Sequence, residues 1–443
     1  MESYRIKVLA HAYDLKRLLT YSPHFKENGV LDARLTCTGI NGLPPEILSH
    51  IFRLGLPNDE AADFHPHLRR TRGIISSVCR SWREVVTCDP RFWNRLLLFP
   101  HPQLPTMLTF PSNAQSFPLT IDLQMHSRLC TPESHSVQCD VRHHVCMPAL
   151  LAALGSLLPR CRSLRIRGSY DDWYFLSDLF PLPSFPKTLK DLDLICWPQR
   201  VPWERPLALL SNIDSPESLH SLSIGLVNCI DPTACGFARM TNLRTLDLRG
   251  ADEFAHSDLW AALAACAERL QTFRIHGWKA PTDDDSSLTL DSLTLSRKVN
   301  LVALRELELT NLTQEAAITL ILLFVAPDLE ALVLDRLHHP RLSYWLYDSR
   351  MLAPSTKNVT TFRLHAERTF EDCDMSALLG NFPRLECLSI SFGDSASQGL
   401  RYLSSAVRGA RELRELELAF WDDGTDTADR EAIQMADELH EEL

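Results

Sequence analysis

A comb of apolar residues constrains this chain more than any single side chain does. An apolar residue, two variable residues, leucine or a close equivalent, one variable residue and a second leucine equivalent recur in that order. The unit appears as CRSLRI from Cys161, LKDLDL from Leu189, LHSLSI from Leu219, LRTLDL from Leu243 and LQTFRI from Leu270. It continues as LRELEL from Leu304, LEALVL from Leu329, VTTFRL from Val359, LECLSI from Leu385 and LRELEL from Leu413. Ten starts between residues 161 and 413 make nine steps averaging 28 residues. Within each unit the apolar positions alternate, which is the period of a strand: Leu246 and Leu248 take one side, Thr245, Asp247 and Arg249 the other. A single strand of this kind cannot bury its apolar side, whereas stacked copies share one continuous core.

A period of this size falls in the range of leucine-rich repeats. The expected architecture is an α/β solenoid, with parallel strands on a concave side and helices returning the chain on the convex side. SDLWAALAACAE from Ser257 carries a helical stripe of Leu259, Leu263, Cys266 and Leu270, and QEAAITLILLFV from Gln314 and QGLRYLSSAV from Gln398 read alike. The long step from Leu270 to Leu304 contains PTDDDSSLTLDSLTL, expected as a surface insertion. The asparagine or cysteine usual three residues past the last strand leucine is missing: Ala251 follows Leu248 and Leu312 follows Leu309. The turns must therefore satisfy their backbone groups in another way.

Charge narrows the partners. Formal net charge is −11 over 443 residues, and residues 422–443 hold nine acids against Arg430, which accounts for −8 and leaves −3 on the body. A nearly neutral body has no global attraction for nucleic acid or anionic membrane, so neither is expected as a partner. The acidic tail, with Ile433, Met435 and Leu439 among its charges, reads as a solvated cap. The N-terminus breaks its apolar residues with Arg5, Lys7, Asp14 and Lys16, unlike a secretory leader. The run Ile318–Ala326 is too short to span a bilayer. Thirteen scattered cysteines without a C-x-x-C pair suit reduced thiols in cytosol or nucleus, where the sequons at Asn311 and Asn358 are chance matches.

Ahead of the comb, LPPEILSHIF begins at Leu43, with two prolines suited to a first helical turn. Ile47, Leu48, Ile51 and Phe52 fall on one helical face. A second stripe is Ile75, Val78, Cys79, Trp82, Val85 and Val86, and DPRFWNRLLL adds Phe92, Trp93, Leu96 and Leu97. These stripes predict three short helices whose small core leaves apolar surface for another protein. The order Leu-Pro-x-Glu-Ile-Leu, Val-Cys-x-x-Trp, Asp-Pro-x-x-Trp resembles the F-box. Its combination with leucine-rich repeats resembles substrate receptors of SCF (Skp–cullin–F-box) ubiquitin ligases, the fungal proteins in particular. The resemblance implies an all-α F-box module in which Leu43, Pro44, Ile47, Ile51, Val78, Cys79 and Trp82 dock a Skp-family adaptor and, through it, a cullin scaffold. The connection from Leu54 to Gly73 is longer than the family's usual one.

The division expected is a helical extension over 1–40, with a helix from Tyr4 to Leu19; an F-box over 41–99; a proline-rich connector over 100–146; repeats over 147–421; and the acidic tail over 422–443. His126, Cys130, His135, Cys139, His143, His144 and Cys146 crowd the connector, but their spacing is unlike common zinc modules. Asp283, Asp284 and Asp285 read as a solvated loop. No metal or cofactor is expected, and no P-loop, dinucleotide or hydrolase motif occurs, so no enzymatic activity is expected. The outward strand positions are the expected surface for a protein substrate: Arg165, Asp193, Asp247, Arg249, Arg274, Glu308, Arg363 and Glu417. Their signs alternate, which favours a protein over the phosphates of nucleic acid. The competing expectation is a leucine-rich scaffold outside ubiquitination.

Overall fold

The computed structural model describes residues 3–8, 43–54, 64–98, 117–125, 148–169, 173, 186–196, 216–225, 237–250, 256–278, 298–312, 314–336, 355–366, 379–392 and 413–421. The elements in chain order are β1 (Ser3–Val8), α1 (Pro45–Leu54), α2 (Phe64–Val78), α3 (Arg80–Cys88), β2 (Arg95–Leu98), β3 (Leu119–Gln124), α4 (148–157), β4 (Cys161–Gly168) and β5 (Asp191–Cys196). There follow β6 (Ser221–Gly225), β7 (Thr245–Arg249), α5 (His256–Ala265), β8 (Thr272–His276), β9 (Val299–Asn300), β10 (Glu306–Thr310), α6 (Gln314–Leu323) and β11 (Phe324–Val325). The last four strands are β12 (Ala331–Asp335), β13 (Thr361–Ala366), β14 (Cys387–Phe392) and β15 (Glu415–Trp421). The chain divides into two compact units, Leu15–Gln199 and Met1–Asp14 with Arg200–Leu443.

In the first unit, α1 to α3 close a small core of Leu48, Phe52, Ile75, Val85, Val86 and Phe92, with Trp82 and Trp93 packed against it. Pro45 opens α1, and the Pro44 carbonyl accepts from the Ile47 and Leu48 amides at 3.0 Å, so the prolines sit where a missing donor costs nothing. The continuous stripe expected from Ile75 to Val86 is broken: Cys79 is extended, at φ −157° and ψ 173°, and separates α2 from α3. Polar side chains satisfy the carbonyls freed there, Ser77 Oγ donating to Ile74 O at 2.7 Å and Arg83 Nε to Ser76 O at 3.0 Å. The connection beyond Phe52 is also partly helical, since α2 begins at Phe64. Ser49 donates to Asp89, which Arg91 grips at 2.8 Å, tying α1 to the turn after α3. Burial pushes the Asp89 carboxyl up, but the hydrogen bonds from Arg91 and Ser49 outweigh it and hold the group below its usual range.

The parallel strands β2, β3, β4 and β5 complete this unit in sequence order. Two of them precede the ten recognised copies of the comb. Trp93-Asn-Arg-Leu96-Leu-Leu98 fits the comb completely, and Leu96 and Leu98 stand in register with Ile121 and Leu123 of β3. The proline-rich passage therefore ends in a repeat strand at Leu119. Pro118 occupies the place of the opening apolar residue there, which disguises the copy.

In the second unit every recognised comb copy is a strand, and β6, β7 and β8 lie parallel in one run, as do β8, β10, β12, β13, β14 and β15. The inward residues form the core: Leu246, Phe273, Leu307, Leu332, Phe362, Leu388 and Leu416 align in register, each at most 4% exposed. Because the outward face stays half-exposed, the returning helices cover the leucine face: α5 buries Leu259, Ala262 and Leu263, and Cys266 is buried just past its end. QGLRYLSSAV from Gln398, the insertion after Trp278, the His126–Cys146 stretch and the acidic tail lie outside the described residues.

The missing asparagine position is compensated at both ends of the strands. At the leading end, the carbonyl of the second comb residue accepts from two amides of the next copy. Arg305 O takes Glu330 N and Ala331 N, both at 2.8 Å, and Glu330 O takes Thr360 N at 2.9 Å and Thr361 N at 3.0 Å. Side chains one residue ahead of the comb join in: Asn242 Nδ2 donates to Glu217 O at 2.6 Å and Asn358 Nδ2 to Pro327 O at 2.8 Å. At the trailing end, Gly250, Gly277, Asn311 and Arg336 all have φ between 49° and 74°. That left-handed turn aims each amide at the next copy, Gly250 N reaching His276 O at 2.9 Å and Arg336 N reaching His365 O at 3.0 Å.

One expectation is overturned. Residues from Tyr4 to Val8 were expected to begin a helix, but Ser3–Val8 is a strand, antiparallel to β15. Tyr4, Ile6 and Val8 alternate with Arg5 and Lys7, a period-two pattern that the exposed edge of β15 selects over a loosely matched helical stripe. The remainder of that expected helix is outside the described residues.

Candidate interaction surfaces

Two surfaces stand out, one of helices and one of strands. On α1, Leu48 is 1% exposed and faces the core, while Ile47 is 48%, Ile51 37% and Leu54 73% exposed. Ile47, Ile51 and Leu54 are spaced at four and three residues and share one face of α1, with Leu43 two residues ahead of its start. On α2, Ile74 is 55% and Val78 53% exposed, although Ile75 between them is buried. Pro44 is exposed, Cys79 is half-buried at the break, and Trp82 is half-buried with its ring 4.5 Å from that of Phe52. Phe117 and Val302 are the other two large apolar side chains exposed among the described residues, so this segment holds six of eight. Exposed apolar side chains concentrated in this way are typical of protein-interaction surfaces. Of the residues expected to dock an adaptor, Cys79 and Trp82 are therefore half-buried, while Leu43, Pro44, Ile47, Ile51 and Val78 are exposed. Leu54 and Ile74 belong with them and escaped the sequence reading, because an exposed apolar residue beside a buried one leaves no mark in composition.

The strand surface is polar and self-neutralised. In the first unit Leu97, Asp122, Arg165 and Asp193 stand in one outward row. Arg165 Nε donates to Asp193, and Arg167 lies 3.4 Å from Asp122. In the second unit the row is Ser223, Asp247, Arg274, Glu308, Val333, Arg363, Ser389 and Glu417. Arg249 donates to Asp247 at 2.7 Å, and Arg274 meets Glu306 at 2.8 Å and Glu308 at 3.1 Å. Burial lowers the Arg274 pKa, but Glu306, Glu308 and Asp247 together raise it beyond its ordinary value. His276 lies 3.6 Å from Asp247 and 3.9 Å from Glu308, beyond hydrogen-bond reach, and burial outweighs both carboxylates to hold its pKa below normal. His365 Nδ1 stands 2.9 Å from Asp335. Arg363 differs: it is exposed, and Val333 and Ser389 flank it in register. Glu417 accepts from Ser389 Oγ at 3.2 Å. The structure thus joins Asp247, Arg249, Arg274 and Glu308 into one cluster, pairs Arg165 with Asp193, and leaves Arg363 and Glu417 on strands further along. Asp122 was missed because its strand was not recognised.

Comparison with known families bears on the helical surface. Residues 40–98 match the F-box-like family. The F-box-like segment therefore spans α1 to β2, and its last residues are already a repeat strand. Two solved structures align along most of the chain. The leucine-rich repeat-containing protein LegL7 from Legionella pneumophila has 11% identity over 79% of this chain and 98% of its own, with a TM-score of 0.37. The Rad7 and Elc1 complex in yeast has 16% identity over 79% and 89%, with a TM-score of 0.35. Comparison with curated proteins gives no match. Among the described residues no group of three or more potential ligands is placed to hold a metal ion, and no helix is long and apolar enough to cross a membrane. An F-box-like segment followed by leucine-rich repeats is a protein-interaction architecture.

Proposed function

We propose that this chain is the substrate-recognition subunit of an SCF-type ubiquitin ligase. The observation that carries the reading is the outward set Leu43, Ile47, Ile51, Leu54, Ile74 and Val78, apolar and exposed within an F-box-like segment whose core is already complete without them. These residues dock a Skp-family adaptor, the adaptor joins a cullin, and the outward strand residues hold a protein substrate. The chain itself performs no chemistry. It raises the local concentration of a substrate lysine near the transfer machinery, an effect of proximity. A cytosolic or nuclear setting agrees with free thiols at Cys79, Cys88, Cys161, Cys266 and Cys387.

Co-expression with a Skp-family adaptor tests the reading. The wild-type chain is expected to retain the adaptor through size-exclusion chromatography, and Ile47→Asp is expected to weaken it by roughly 30-fold, the weight of a central interface residue. An adaptor that never co-purifies, or that ignores Ile47→Asp and Val78→Asp, rejects the docking role and leaves a leucine-rich scaffold outside ubiquitination.

A further inference from the structure

The arginines on the outward strand face of the second unit divide into two kinds. Arg249 is held by Asp247 at 2.7 Å, and Arg274 by Glu306 at 2.8 Å and Glu308 at 3.1 Å. An acid from another protein engages either of them only by displacing a carboxylate already in place. Arg363, on β13, is of the other kind. Its neighbours in register are Val333 on β12 and Ser389 on β14, and it forms no ion pair among the described residues. The remaining outward positions of those two strands are Ala331, Asp335, Cys387 and Ser391. Asp335 stands 2.9 Å from His365 Nδ1, while the Cys387 thiol and Ser389 hydroxyl donate to Glu415 and Glu417 on β15 at 3.4 and 3.2 Å. Exposure singles out the same residue. In the row Ser223, Asp247, Arg274, Glu308, Val333, Arg363, Ser389 and Glu417, Asp247 is buried and six are half-buried, while Arg363 alone is exposed.

We propose that Arg363 selects the protein substrate by taking the carboxylate of an aspartate or glutamate that has apolar residues beside it. The proposal rests on the reading of the outward strand residues as the substrate surface, and it names the feature they recognise. A guanidinium offers a planar fork of donors that matches a carboxylate. Ala331 and Val333, on the neighbouring strand, give the flanking residues apolar contact without a competing charge. The surroundings also decide between anions. In register, Glu308 lies two strands away on one side of Arg363 and Glu417 two strands away on the other, roughly 10 Å each at the usual strand spacing. One positive charge between two negative ones complements a single negative charge. A phosphate group, at about −2, is recognised by clusters of arginines instead.

Selection of phage-displayed random dodecapeptides on the full chain tests this. The chain is expected to enrich peptides with aspartate or glutamate beside apolar residues, and their consensus, synthesised with a fluorophore, is titrated by anisotropy. Arg363→Gln is expected to weaken that peptide about tenfold, the loss of a hydrogen bond to a charged group. Arg414→Gln, which removes an exposed cation just ahead of β15, is expected to leave it unchanged. Arg363→Glu is expected to prefer the peptide whose acid is replaced by lysine, a reversal that a misfolded variant does not produce. Phosphoserine in place of the acid is expected to bind no more tightly. Selection that yields no peptide or no acidic preference, affinity indifferent to Arg363→Gln, equal loss in Arg414→Gln, no reversal in Arg363→Glu, or tighter binding of phosphoserine overturns the proposal. The selection contains no adaptor, so a failure here leaves adaptor docking standing, and a chain that never takes an adaptor still shows the acidic preference.

Discussion

At single residues, the repeat turns offer the sharpest stability test. Gly250 at φ 64° and Arg336 at φ 49° do the same work, yet only glycine enters that region without a Cβ penalty. Gly250→Ala is expected to cost about 1 kcal/mol, because an L side chain is strained in that turn. Arg336→Gly is expected to gain about 0.5 kcal/mol, the relief of strain less the extra freedom of glycine in the unfolded chain. Urea midpoints at constant m-value measure both. His276 gives a pH signature. Its folded pKa lies below the ordinary 6.5, chiefly from burial and partly from Arg249 and Arg274, against the opposing pull of Asp247 and Glu308. The unfolded chain therefore takes up the proton first. The stability this histidine contributes is complete above about pH 6.5 and is lost as pH falls through the folded pKa below it. His276→Gln is expected to flatten that loss, seen as a smaller drop in urea midpoint between pH 7.5 and 5; an unchanged profile would show that His276 titrates as it does in the unfolded chain.

Among elements, Trp93 joins the F-box-like segment to the repeats. It packs on the helical core, its Nε1 donates to Val86 O at 2.7 Å, and the Arg72 guanidinium lies 5.3 Å over its ring. Burial lowers the pKa of Arg72 to about 10, which still leaves it charged for that cation–π contact at neutral pH. Trp93 is also the opening apolar residue of the comb copy that becomes β2. Trp93→Ala is expected to cost about 3 kcal/mol as a partly filled cavity, and to speed amide exchange in α3 and β2 together. Faster exchange in α3 alone would show that the two elements are independent.

The same residue explains what was legible beforehand. All ten copies from Cys161 onward were readable because alternation plus period is a redundant signal. β2 was hidden inside the F-box motif, and β3 behind Pro118. The break at Cys79 was invisible because both sides of it keep helical spacing. β1 was misread because five apolar residues over sixteen positions fit a helix loosely, while the pattern that mattered, Tyr4-Ile6-Val8, acquires meaning only beside an open strand edge. On the strand surface, alternating signs were legible, but their mutual neutralisation depends on register across neighbouring copies, which no single copy contains.

For the whole molecule, the two surfaces rest on different elements, and this separates their functions experimentally. Ile47 and Val78 point away from a core that is closed by Leu48, Phe52 and Ile75, so aspartate at either position is expected to change folding stability by no more than about 0.5 kcal/mol. Arg363 is exposed on β13, flanked in register by Val333 and Ser389, and Glu308 is bridged only at its outward carboxylate, so Arg363→Glu and Glu308→Lys spare the leucine core in the same way. Sites with no shared partners act nearly independently. Quantitative mass spectrometry of proteins co-purified from cells is therefore expected to show Ile47→Asp/Val78→Asp losing adaptor and cullin while retaining the cargo, and Arg363→Glu/Glu308→Lys losing the cargo while retaining the adaptor. The combined variant loses both. Cargo that disappears with the F-box-like substitutions alone would mean that it binds through the adaptor, and would remove the outward strand residues from the role assigned to them.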